Sequence, residues 1–173
     1  GGYLLVQAVG DGMDINGSVV MTGGTLLVNG PTTNDNGALD YDSAFKITGG
    51  FLVAAGSSGM AQAPGTTSTQ CSVLATLPST CQAGALFRIQ ARDGTDILTF
   101  APAVRYQSVA FSSPKLQKGT TYDVYYGGSS TGTPVDGLYE GGVYTAGTKY
   151  ASFTISSVTT NVAGGGSGGG ARR

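Results

Sequence analysis

Asp11, Asp14 and Asn16 fall within "GDGMDINGS", and Asn34, Asp35, Asn36, Asp40 and Asp42 fall within "NDNGALDYD". Carboxylates, side-chain amides and turn carbonyls are hard oxygen donors, the set from which Ca²⁺ takes six to eight ligands. Only 11% of the 173 residues are charged and the net charge is −1, so two such clusters stand out. Neither is an EF-hand loop, because the D-x-D-x-D-G spacing and the closing Glu are absent. Asp and Asn also bond their own backbone and tolerate left-handed geometry in turns. The residue types alone therefore leave two readings, a calcium site or ordinary turn chemistry.

Other chemistry is scarce. The chain has no histidine and no tryptophan, which removes the commonest general base and the commonest zinc ligand. A basic nucleic-acid footprint is missing, and no apolar run approaches the ~20 residues of a membrane span. Nucleic acid and membrane insertion are therefore not expected. A polysaccharide lyase needs a Lys or Arg base beside calcium. Lys46 is the one basic side chain within the first seventy residues and reads as a solvated face residue, so the chain is read as no enzyme. Cys71 and Cys81 flank "SVLATLPST", and their spacing predicts a disulfide closing a short loop, worth roughly 2–3 kcal/mol. Tyr125, Tyr126, Tyr139 and Tyr144 lie in a Gly-rich stretch. Exposed, they would stack on sugar rings; buried, they would be cross-strand packing.

The elements that position the acids are visible as a repeat. "GGYLLVQA", "GGTLLVNG" and "GGFLVAAG" begin at Gly1, Gly23 and Gly49. Asp14 pairs with Asp40, Asn16 with Asp42, Val19 with Phe45 and Met21 with Ile47 at one offset of 26 residues. Short apolar segments punctuated by Gly and Asn at a period in the low twenties predict parallel β-helix coils over residues 1–70. Antiparallel hairpins are the competing reading. In stacked coils Leu4, Leu26 and Leu52 form one interior ladder, and Val6, Val28 and Ala54 the next. Asp14 and Asp40 then lie one above the other, and stacked like charges call for a counter-ion. From Cys71 the repeat stops. "ALFRIQARDGTDILTF", "RYQSVAF", "TTYDVYYGG" and "KYASFTISSVT" predict an antiparallel β-rich region over 71–160 packed on the coils, and 161–173 reads as a flexible Gly-rich tail. The whole is expected to be all-β.

The runs "GDGMDINGSVVMTGGTLLVNGPT", "NGALDYDSAFKITGGFLVAAGSSGMAQAP", "ILTFAP" and "YYGGSSTGT" carry a resemblance. The sequence is similar to the C-terminal part of bacterial secreted proteins described as carbohydrate-binding domain-containing, over most of residues 1–160. That resemblance implies a right-handed parallel β-helix like that of pectate lyases, with bound calcium. It also implies surface attachment and binding of plant polysaccharides such as cellulose and polygalacturonate. Asp11, Asp14, Asp40 and Asp42 inherit the calcium role. Members of the family carry further N-terminal coils, whose binding residues have no counterpart here, and the cysteine pair is not a general feature of it.

Two functions follow as expectations. The first is an extracellular or cell-surface, calcium-stabilised β-helix protein that binds polysaccharide without catalysis. The second is a structural subunit of an extracellular filament. A coil that begins at "GGYLLVQ" presents an open strand edge, and head-to-tail stacking through open ends would build a fibre. The low charge and the expected disulfide suit an oxidising compartment, and the start of the chain reads as a trimmed or mature fragment.

Overall fold

The structure, a computed structural model, describes residues 1–163. It is all-β, with no helix among the described residues. In the first part the strands are β1 (Tyr3–Gln7), β2 (Met13–Ile15), β3 (Ser18–Met21), β4 (Thr25–Asn29), β5 (Leu39–Tyr41), β6 (Ala44–Ile47) and β7 (Phe51–Gly56). They are followed by β8 (Ser72–Cys81), β9 (Phe87–Ala91), β10 (Asp96–Phe100), β11 (Tyr106–Ser112), β12 (Thr121–Ser130), β13 (Thr133–Val135), β14 (Leu138–Glu140), β15 (Tyr144–Thr154) and β16 (Thr159–Ala163).

The repeat sets the pairing of the first seven strands. β1, β4 and β7 are parallel, with Leu4, Leu26 and Leu52 in one row and Val6, Val28 and Ala54 in another. β2 pairs with β5 and β3 with β6, again parallel and at the 26-residue offset, so Val19 meets Phe45 and Met21 meets Ile47. The doubled glycines make the corner before each repeat strand. Gly2, Gly24 and Gly50 have φ of +107°, +89° and +104°, backbone that side chains rarely adopt. They also stack: a Cβ on Gly24 would lie 2.7 Å from the Gly2 carbonyl oxygen, and one on Gly50 2.8 Å from that of Gly24.

The architecture then departs from a simple stack of coils. β8, β11 and β16 join β1, β4 and β7 in one six-stranded mixed sheet, ordered β1-β4-β7-β11-β8-β16, with β11 antiparallel to both neighbours. A second, antiparallel six-stranded sheet runs β13-β14-β10-β9-β12-β15. No sheet is closed. After β7 no strand is added to β5 or β6. Residues of the 57–70 loop cap that end instead: Gly65 N donates to Phe45 O at 2.8 Å, and Thr69 N to Ile47 O at 3.1 Å. The expected boundary at residue 70 thus divides parallel from antiparallel pairing, yet both sides share one sheet.

The mixed sheet is buried on both faces, which explains why "TLLVN" and "FLVAAG" are nearly continuous apolar runs. One face of β4 and β7 (Leu26, Val28, Leu52, Ala54) packs with Leu39, Phe45 and Ile47 inside the coil. The other face (Leu27, Val53, Ala55) packs against Phe87, Ile89, Leu98 and Phe100 of the second sheet. Each such side chain contributes roughly 1.5–3 kcal/mol by leaving water.

Two expectations are corrected. Cys71 and Cys81 are not bonded to each other. They lie at the two ends of β8, a ten-residue strand, so they are separated by roughly 20–30 Å of extended chain, where a disulfide needs Cα atoms within about 7 Å. Further, the tail read from residue 161 begins inside β16, which pairs parallel with β8 through Ala163; the remainder, 164–173, lies outside the described residues.

Candidate functional site

The acidic turns meet in the predicted register. Asp14 and Asp40 are direct partners in the β2–β5 ladder, with Ile15 beside Tyr41. The turns on either side follow: Gly12 N donates to Gly37 O at 2.9 Å, Asp42 N to Ile15 O at 3.2 Å, and Ser43 N to Gly17 O at 3.0 Å. Asp11 ties the two turns together, its Oδ1 accepting from Gly37 N at 2.7 Å. Desolvation, followed by the charges of Asp11, Asp14 and Asp42, raises the Asp40 carboxyl above its ordinary value. The four carboxylates therefore form one electrostatic group, and no salt bridge among the described residues reaches any of them.

The other predicted ligands are placed differently. Asn36 donates from Nδ2 to Thr33 Oγ1 at 3.2 Å and Asp35 Oδ1 at 3.4 Å, and its carbonyl accepts from Ser57 Oγ. The Asn34 backbone lies against Gly59, where a Cβ would come within 2.1 Å of its carbonyl oxygen. Asn34, Asp35 and Asn36 thus build the loop that packs on residues 57–59, and Asn16 is exposed beyond the end of β2. Among the described residues no three carboxylates or thiols converge at metal-ligating geometry.

The tyrosines divide three to one. Tyr125 meets Tyr144 edge to face at 6.3 Å, Tyr126 meets Tyr150 at 6.5 Å, and the Arg88 guanidinium lies 4.6 Å over the Tyr144 ring. Tyr144 OH also donates to Gly127 O. These three pack across the β9–β12–β15 sheet rather than offering faces to a ligand. Tyr139 is the exception. It lines a groove of about 450 Å³ where the mixed sheet projects past the β13–β14 hairpin.

That groove has two walls. Tyr3, Thr25 and Phe51 form a column across β1, β4 and β7, one partner above the next. Opposite stand Val135, Tyr139 and Glu140 of the hairpin, with Asp96 and Thr99 of β10 between them. Tyr3 is 52% exposed, and its hydroxyl donates to Asp136 Oδ2 at 2.6 Å, fastening the hairpin to β1. Desolvation and the Asp136 carboxylate push that phenol up to about 12. Asp96 accepts on Oδ1 from Arg88 Nη1 at 3.1 Å and from Thr99 Oγ1 at 2.9 Å. A half-apolar concavity with a few placed polar groups, of this volume, is the general form of a small-ligand site. Of its residues the sequence reading had singled out only Tyr139, because nothing local marks Tyr3 as facing a hairpin 130 residues away.

A second concavity, about 400 Å³, opens at the β1–β2–β3 end and is lined by Leu4, Met13, Val19 and Met21. Compared with known proteins, the chain matches no family model, no curated protein and no solved structure.

Proposed function

We propose that this chain belongs to an extracellular, calcium-stabilised parallel β-helix protein that binds polysaccharide at a bacterial surface and catalyses nothing. The observation that carries the reading is the groove between Tyr3 and Tyr139, where aromatic faces stand beside carboxylate acceptors. Sugars offer that combination its complement, apolar C–H faces and donating hydroxyls. The β-helix limb rests on three parallel ladders in the register of the sequence repeat. The resemblance described above points the same way.

Calcium fits the donor chemistry in part. Asp14 and Asp40 would hold the ion, with Asp11 and Asp42 within Coulombic reach. The rest of the shell would come from Asn16, turn carbonyls and water, because the three loop residues from Asn34 to Asn36 are engaged locally. Bound there, the ion would supply charge neutralisation rather than chemistry. Retention on insoluble polysaccharide, with calcium and with chelator, tests the reading. Passage through every matrix in both buffers would defeat it, and unsaturated product from polygalacturonate would revive a lyase.

One observation favours a second reading, the subunit of an extracellular filament. β1 pairs on one side only, carries no charged residue, and adjoins the apolar end concavity. Natural edge strands are usually blunted by charge or proline. Negative-stain images of the purified chain showing regular fibres would favour this reading over the first.

A further inference from the structure

We infer that the groove between β1 and the β13–β14 hairpin takes an uncharged glycan segment and rejects a polyuronate. This deepens the proposed polysaccharide reading and rests on it. The argument is charge. Three ionisable side chains line the groove, Asp96, Glu140 and Lys115, and Asp136 stands at its rim, held by Tyr3. Asp96 is already neutralised by Arg88, whose guanidinium is itself engaged with Thr99 and Gln90. Lys115 is therefore the one groove-lining cation among the described residues, set against the carboxylates of Glu140 and Asp136. A polyuronate brings one negative charge per sugar and would meet more carboxylates than cations, a juxtaposition that opposes binding.

For a neutral sugar the same groups are assets. Both protein contacts to the Asp96 carboxylate fall on Oδ1, and Glu140 is exposed without a salt-bridge partner among the described residues. Carboxylate oxygens are strong acceptors for hydroxyl donors. Tyr3 and Tyr139 supply faces on opposite walls, and a volume of about 450 Å³ is enough for a short oligosaccharide stretch. The Tyr3–Asp136 hydrogen bond fixes the spacing of the walls at one end.

The test is calorimetric titration of the whole chain with a neutral β-linked glucan hexamer and, separately, an oligogalacturonide of equal length. Each titration is run with and without calcium, on wild type, Tyr139→Ala and Glu140→Gln. Thermal unfolding checks that the variants fold. The expected result is binding of the neutral hexamer that is insensitive to salt, with each substitution weakening it at least tenfold at unchanged thermal midpoint. The oligogalacturonide should give no heat. Equal or tighter binding of the oligogalacturonide overturns this inference and leaves the polysaccharide reading standing. Neutral binding untouched by both substitutions overturns the groove as the site. Binding of neither ligand defeats the polysaccharide reading itself.

Discussion

The two halves of the molecule treat their acids in opposite ways. In the antiparallel half, Asp96 is paired with Arg88 at 3.1 Å and Asp123 with Lys149 at 2.9 Å. Asp123 also accepts from Ser152. Burial would raise its carboxyl, but the Ser152 hydroxyl and the Lys149 and Arg92 charges outweigh that and hold it below its ordinary value. In the parallel half, Asp11, Asp14, Asp40 and Asp42 share a ladder and its turns with no basic partner among the described residues, and Asp40 is raised. The same chain neutralises its acids with side chains where strands are antiparallel and stacks them where strands are parallel. Stacking follows from the repeat itself: a residue that recurs at the coil period is placed over its own copy. A repeating fold that places an acid in its turn must therefore bring in charge from outside or tolerate the repulsion.

The comparison can be broken most forcefully at glycines. Gly24 combines a φ of +89° with a carbonyl 2.7 Å from where a Cβ would sit, whereas Gly94 has a φ of +88° and open space. Gly24→Ala should destabilise by at least about 2 kcal/mol, and Gly94→Ala by only about 1–2 kcal/mol, the left-handed backbone term alone. Urea denaturation of both variants measures the gap. Equal losses would mean that the coils are not stacked as described.

At neutral pH without divalent ions, Asp123→Asn should cost about 1 kcal/mol, while Asp40→Asn should be neutral or stabilising by up to about 1 kcal/mol. Acid titration sharpens the same contrast, because the linkage signs are opposite. The lowered carboxyl of Asp123 contributes stability that is present above its unfolded value and is lost as pH falls through the folded value. The raised carboxyl of Asp40 penalises the native state above its folded value, and that penalty disappears as pH falls through it. In the difference between each Asn variant and wild type, the two curves should therefore bend in opposite directions below neutrality. Parallel curves would contradict the division. The smallest expected effect is at the cysteines: reductant should leave the thermal midpoint unchanged, because Cys71 and Cys81 occupy opposite ends of β8.

Much of the parallel half was legible because a repeat announces its own pairing. One offset of 26 residues correctly placed Asp14 on Asp40 and Val19 on Phe45, and the Leu4, Leu26 and Leu52 row followed in the same way. Antiparallel pairing leaves no such mark. That β11 would insert between β7 and β8, and so merge the two regions into one sheet, depends on partners such as Val53 and Phe111 that share no motif. The cysteine pair failed for a related reason: close in sequence, the two residues are driven apart by the extended strand between them. The tyrosine-rich stretch looked uniform, but strand alternation turned Tyr125, Tyr126 and Tyr144 into packing against Tyr and Arg neighbours and left Tyr139 facing the groove.

The central claim, that the stacked acids ask for an external cation, is tested most directly by thermal unfolding of wild type and Asp40→Asn in calcium and in chelator. At calcium a hundredfold above its dissociation constant the wild type should gain about 2.7 kcal/mol, a rise of roughly 5–10 °C in midpoint. Asp40→Asn should unfold at or above the wild-type temperature in chelator and respond to calcium weakly or not at all. A wild-type midpoint that is the same in both buffers, with Asp40→Asn less stable than wild type in chelator, would contradict the account and reduce the acidic ladder to turn chemistry.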